Sequence, residues 1–215
     1  MTTSAAADLL GVLAYGELVA FERIAADAAD APTVADKIAL GRIAAAEFSH
    51  FEKITSYLQA QGIDPQSAMQ PFVEAFNHFH ENMTPTNWYE GLLKVYVGDG
   101  IAADFYREIS AYLDADASQL VDEVLSDNGH SEFAVARLRE AIAADPKVAG
   151  RLALWGRRIM GEMISQAVMV ASSRPELTKL FVAKNGAESG NAISGIVNRL
   201  TVAHSRRMDA LGLAS

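Results

Sequence analysis

No cysteine occurs among the 215 residues. Disulfides, protein-held iron–sulfur clusters and thiolate zinc sites are therefore excluded, and any metal must sit on oxygen and imidazole ligands. Long apolar runs are missing as well. The longest stretch without Asp, Glu, Lys or Arg runs from Met163 to Ser173, well short of the ~20 residues a membrane-spanning helix needs. The first ten residues carry Asp8 and no basic segment, so no secretory signal is visible. These absences predict a soluble, cytoplasmic protein without a membrane partner. Proline is scarce, with six residues at 32, 65, 71, 85, 146 and 175, and no run alternates Val, Ile, Thr and aromatics as a sheet would require.

What is present is helical. Between the prolines, Ala, Leu, Glu, Arg and Met recur at helical period. That pattern predicts helices at 4–29, 33–60, 66–82, 86–113, 115–144, 146–173 and 188–211, hence an all-α fold. Half of the chain is hydrophobic, enough for a core without staples. The segment 61–85, with Gly62, Pro65, Pro71 and Pro85 around a short helix, is long enough to cross the length of a bundle.

Charge is unevenly spread. The formal net charge is −9, yet residues 1–145 hold 8 Lys+Arg against 23 Asp+Glu, while residues 146–215 hold 10 against 4. The expectation is one domain over 1–215, made of an acidic core bundle at 5–144 and a basic helical extension at 146–215 packed on it.

An internal repeat carries most of the information. Gly16-Glu17 recurs as Gly98-Asp99, and Glu47-x-x-His50 recurs as Asp127-x-x-His130, at offsets of 82 and 80 residues. Each lone acid precedes its acid-x-x-His by about the same distance, 30 residues in the first half and 28 in the second. Residues three apart share a helix face, and an antiparallel hairpin of that length brings the chain back to its starting level. Two such hairpins packed together converge four carboxylates and two imidazoles. Buried without partners these groups would cost several kcal/mol each. Two divalent cations remove that cost, and the donor set suits iron or manganese.

With these motifs the chain resembles the ferritin-like dimetal superfamily, and within it most of all the tRNA hydroxylases that act on 2-methylthio-N6-isopentenyladenosine. The resemblance covers about residues 5–144. It implies a four-helix bundle with a long crossover and additional C-terminal helices. It also implies two iron ions that activate O2 with an external reductant, and ligands Glu17, Glu47, His50, Asp99, Asp127 and His130, with Glu47 and Asp127 as bridges. The implied reaction is hydroxylation of a C–H bond, on the isopentenyl group of a modified tRNA adenosine, by a non-haem di-iron monooxygenase. Aspartates stand in the second half where the family usually has glutamates. Either Gly98, Gly100 and Gly129 let the helices approach closely enough to compensate, or the second metal position is weak or lost.

Other residues are candidates for the surroundings of the metals. Glu22 and Asp104 each lie five after the lone acid and are candidates to hold the ring N–H of His50 and His130. Tyr96 and Tyr106 flank Asp99 at three before and seven after, and Glu123 precedes Asp127 by four. His78 and His80 are two apart and cannot share a helix face, which places them on the crossover surface. The basic residues Arg151, Arg157, Arg158, Arg174, Lys179, Lys184, Arg199, Arg206 and Arg207 either hold tRNA phosphates or pair with the acidic body or an adjacent subunit. Two rival readings remain: a ferritin-like iron-binding or peroxide-consuming protein without organic substrate, and a metal-free helical interaction module. The oxygenase reading expects a monomer or dimer.

Overall fold

The computed structural model describes residues 4–126, 129–174, 177 and 189–214, apart from the side chains of 4, 129–131 and 189–193. Among these residues no strand occurs. The helices are α1 (Ser4–Ala29), α2 (Val34–Ala60), α3 (Pro65–Met69), α4 (Val73–Asn82), α5 (Trp88–Ser110), α6 (Ala115–Val124), α7 (Gly129–Ala144), α8 (Pro146–Ser173) and α9 (Ser189–Ala210).

Local chemistry sets the helix starts. The Thr33 hydroxyl accepts from the Asp36 amide at 3.1 Å and donates to the Asp36 carboxylate at 2.7 Å. Asp64, Asn87, Asp114 and Asp145 cap α3, α5, α6 and α8 in the same manner, each satisfying one amide that the first turn leaves open. Gly62, at φ 74°, turns the chain out of α2. Two boundaries differ from expectation. Pro71, which has no N–H to donate, splits the crossover helix into α3, a 3-10 turn at Gln70–Phe72, and α4. The single helix expected at 115–144 is interrupted: α6 ends at Val124 and α7 begins at Gly129. Ser126-Asp127-Asn128-Gly129 is a run of turn formers: Ser, Asp and Asn side chains compete with helical hydrogen bonding, and Gly has low helix propensity.

The α1/α2 hairpin is the most extensive helix pair. α5 lies against α1, α6 and α7, and α7 also touches α2. The crossover elements lie along α1 and carry the chain from the end of α2 to the start of α5. α8 packs on α4, α5 and α7, and α9 packs on α5 and α8. No helix of the described residues is long and apolar enough to cross a membrane.

Two hydrophobic clusters fill the interior. One contains Ile24, Leu40, Leu93, Val97, Leu138, Leu152, Ile159 and Met208. The other contains Leu10, Leu13, Ile54, Leu58, Tyr106 and Val121. Along α1 the second cluster ends near Ala14 and the first begins near Ile24, while along α2 the first ends near Ala44 and the second begins at Ile54. Glu17, Glu47 and His50 fall in that gap, at the seam between two apolar layers.

Candidate metal centre

Glu17 on α1 and Glu47 and His50 on α2 point into the seam, and each is buried. One ligand-capable atom from each lies within 4.8 Å of the others. His50 Nδ1 is 3.3 Å from Glu17 Oε2 and 4.0 Å from Glu47 Oε2. The two α2 residues face α1 together because three positions of helix turn through nearly one full revolution.

Burial pushes the Glu17 carboxyl from 4.5 up to about 7, against the lowering effect of its hydrogen bond with Glu47 and with the help of the Asp99 charge. Asp99, half-buried on α5, therefore reaches the site electrostatically from the opposite hairpin. This is an interior with more negative charge than its hydrogen bonds neutralise. Two carboxylates and an imidazole in a dry seam fit a divalent metal, whose charge would replace the proton on Glu17.

Asp127 and the side chain of His130, the remaining expected ligands, lie outside the described residues.

Tyr106, expected on the inner face of α5, is buried beside the site. Its hydroxyl donates to the Val12 carbonyl at 3.3 Å, and burial, followed by the Glu17 charge, raises its pKa. Gly16 lies under this contact. A Cβ there would stand 3.4 Å from the Tyr106 hydroxyl and 3.5 Å from the Phe76 ring, so the absent side chain leaves both rings room beside Glu17.

Other expected neighbours of the metals face elsewhere. Glu22 is exposed, because five positions from Glu17 correspond to about 140° around the helix. Asp104 turns away from the site and pairs with Arg207 of α9 and with Arg107 at 3.2 Å. Tyr96 leans toward α9, its hydroxyl 3.5 Å from the Arg207 carbonyl. Glu123 is exposed and accepts from Gln119 at 2.8 Å. Of the glycines expected to draw helices onto the metals, Gly98 and Gly100 do not, and the surroundings of Gly129 lie outside the described residues. Nothing lies within 4 Å of a Cβ at Gly98, while Gly100 makes room for the Arg207 guanidinium.

The other histidines divide. His78 is exposed on the crossover as expected. His80 is half-buried and accepts from Lys94 Nζ at 2.9 Å, with burial and the Lys94 charge lowering its pKa to about 3. Spacing concealed this contact, since Lys94 arrives from α5. His204 of α9 is buried, and among the described residues neither ring nitrogen has a hydrogen-bond partner.

A helical bundle with a crossover and a carboxylate–imidazole group buried between its first two helices defines the ferritin-like class. Residues 2–184 match the family described as "Ferritin-like domain, actinomycetes", and the chain belongs to that family. Among solved structures it is similar to "Protein 19 with aldehyde deformylating oxidase activity from Synechococcus". The TM-score is 0.72 at 17% identity, over 98% of this chain and 93% of that one, which is a likeness of fold. No curated protein matches the chain in sequence.

Proposed function

We propose that the chain is a non-haem dimetal oxygenase that uses iron, O2 and an external reductant to oxidise an organic substrate. The observation that carries this reading is the buried convergence of Glu17, Glu47 and His50 within 4.8 Å, with the Asp99 charge acting on Glu17 from α5. Iron bound there would supply electrons to dioxygen and hence the oxidising power for a C–H bond. Manganese suits the same donors, so the metal is assigned by measurement.

The chain's own groups have separable roles. Glu47 and His50 would hold metal from one helix turn, and Glu17 would complete the set once its proton has left. Tyr106 stays a neutral phenol whose O–H donates to the Val12 carbonyl, so it adds no further negative charge to Glu17, Glu47 and Asp99. Leu13 and Ile54, nearly without solvent exposure, keep water from the seam on one side.

The narrower reading, with a modified tRNA adenosine as substrate, draws on the sequence resemblance. Much of the basic extension is engaged internally. Arg174 pairs with Asp8, Arg199 with Glu108 and Arg207 with Asp104, while Arg157 and Arg158 donate to the Ala214 and Asn82 carbonyls. Lys179 and Lys184 lie outside the described residues. These pairs favour a structural role for the arginines over a broad phosphate-binding surface.

The test is incubation of the reduced, iron-loaded chain with O2 and either isopentenyl-modified tRNA or a long-chain aldehyde, followed by product analysis. An oxygenated nucleoside supports the tRNA reading, and conversion of the aldehyde supports an activity like that printed for the Synechococcus protein. O2 uptake with neither product, together with a cage-sized particle, would favour iron storage.

A further inference from the structure

The inward side of α2 is accounted for by Asp36, Leu40, Ile43, Ala44, Glu47, His50, Ile54 and Leu58. Its outward side is not uniformly polar, as the solvated side of a bundle helix normally is, but carries an apolar stripe. Val34, Ile38 and Phe48 are 74%, 50% and 37% exposed, and Gly41 and Ala45 continue the same line. Successive positions are three or four apart, so the five form one stripe along the helix.

Cations border this stripe. Lys37 stands on one side and Arg42 and Lys53 on the other, all exposed and none with an ion-pair partner among the described residues, while exposed Glu52, one turn beyond Phe48, closes the stripe with a single acid. Residues 1–145 contain only eight Lys and Arg, so this helix face concentrates three of them on an otherwise acidic body. The arginines of the C-terminal extension are mostly engaged in internal contacts, whereas these three form no ion pair among the described residues.

The stripe also reaches the metal centre. Phe48 follows Glu47 directly, and its ring centroid is 5.0 Å from Phe21 and 5.5 Å from Phe51. Phe21 lies one helical turn after Glu17, and Phe51 is adjacent to His50. A partner seated on Phe48 would be one side chain away from the ligand-bearing turns.

We propose that the outward face of α2, with Val34, Ile38 and Phe48 between Lys37, Arg42 and Lys53, is the docking surface for an acidic one-electron carrier protein that reduces the metal centre. The inference rests on the oxygenase reading, which requires electrons from outside. Each encounter oxidises the carrier by one electron and reduces one ferric ion to ferrous, so two encounters serve an iron pair. The dimensions favour such a partner over a second copy of the chain. From Val34 to Phe48 the stripe runs about 21 Å, on a helix about 10 Å wide. That is well short of the ~800 Å² per partner of a stable complex, and in keeping with the small interfaces of redox encounters. Basic flanks select an acidic surface and speed its approach.

The experiment titrates the iron-loaded full chain with a plant-type [2Fe–2S] ferredoxin, an acidic one-electron carrier, by calorimetry at low and high salt. Binding is expected at low salt and lost at high salt. The Lys37→Glu/Arg42→Glu variant should weaken it by about tenfold or more, and Ile38→Ser by about threefold or more. Both variants should keep the iron content of the unaltered chain and the rate at which O2 oxidises its iron(II) form, prepared anaerobically and freed of excess reductant. Absence of ferredoxin binding, or binding unchanged in the variants, overturns the proposal. So does a response to charge reversal alone with tRNA competing for the same face, or a dimer that Ile38→Ser dissociates. A chain whose bound iron(II) is not oxidised by O2 fails the oxygenase reading. One that is so oxidised but shows no variant-sensitive carrier binding fails this inference alone.

Discussion

His50 Nδ1 stands 3.3 Å from Glu17 Oε2 across the α1/α2 hairpin, joining residues 33 apart in the chain. Neither group faces water, and the Glu17 carboxyl is raised to about 7 chiefly by burial. Metal and proton therefore compete for the same oxygen. Iron(II) affinity should fall as pH drops below about 7, with close to one proton released from Glu17 per chain on binding at pH 6 and much less at pH 8. Calorimetry in buffers of different ionisation enthalpy measures the release. Equal release at both values would contradict the account.

The same shift fixes the sign of a stability effect in the metal-free chain. A carboxyl with a raised folded-state pKa binds more protons folded than unfolded between 4.5 and about 7. Its contribution therefore becomes more favourable as pH falls through that window and is lost as pH rises. At pH 8, with chelator present, Glu17→Gln should stabilise the chain by about 1–3 kcal/mol, and it should weaken iron binding. Urea unfolding with and without iron checks both. A loss of stability in the metal-free state would count against a buried, strained anion.

His204 predicts the opposite pH sense. Burial, then the Arg207 charge, lowers its pKa below 6.5. The neutral ring's contribution is present above 6.5 and is lost as pH falls below that value, because the unfolded chain then binds the proton more readily. Replacing it, as in His204→Leu, should flatten the decline in Tm between pH 7 and 5. A variant with the same acid sensitivity as the unaltered chain would rule this origin out.

The C-terminal arginines should differ in energetic weight. Arg174 makes a two-pronged contact with the buried Asp8 carboxylate, so Arg174→Ala strands a charge and should cost about 2–3 kcal/mol. Arg199 meets Glu108 at a side chain 57% exposed, and Arg199→Ala should cost under about 1 kcal/mol. Urea midpoints compare the two, and equal losses would refute the distinction.

Helical period and return distance made the first hairpin legible. Glu17 and Glu47-x-x-His50 share α1 and α2 with their cores, and the inward face followed from spacing alone. Matching offsets misled where helix angle decides: Glu22 and Asp104 repeat in sequence, yet their position five residues on turns them off the inner face. The turn formers at 126–129 were visible and yielded to a strong helical pattern on both sides. Arg207 filling the space over Gly100, and Lys94 reaching His80, are contacts between distant segments that no local pattern encodes. The outward stripe of α2 was hidden for a different reason, since its residues look like ordinary core until the inward face is known to be complete.

Metal content tests the central claim most directly. The chain is purified without chelator, reconstituted anaerobically with iron(II), desalted and analysed by elemental analysis beside Glu47→Ala and His50→Ala variants confirmed folded by circular dichroism. The account predicts about two irons per chain, the stoichiometry of carboxylate-bridged dimetal bundles, and a loss of at least half in each variant. Iron well below one per chain in the unaltered protein, or the same content in all three, would contradict it.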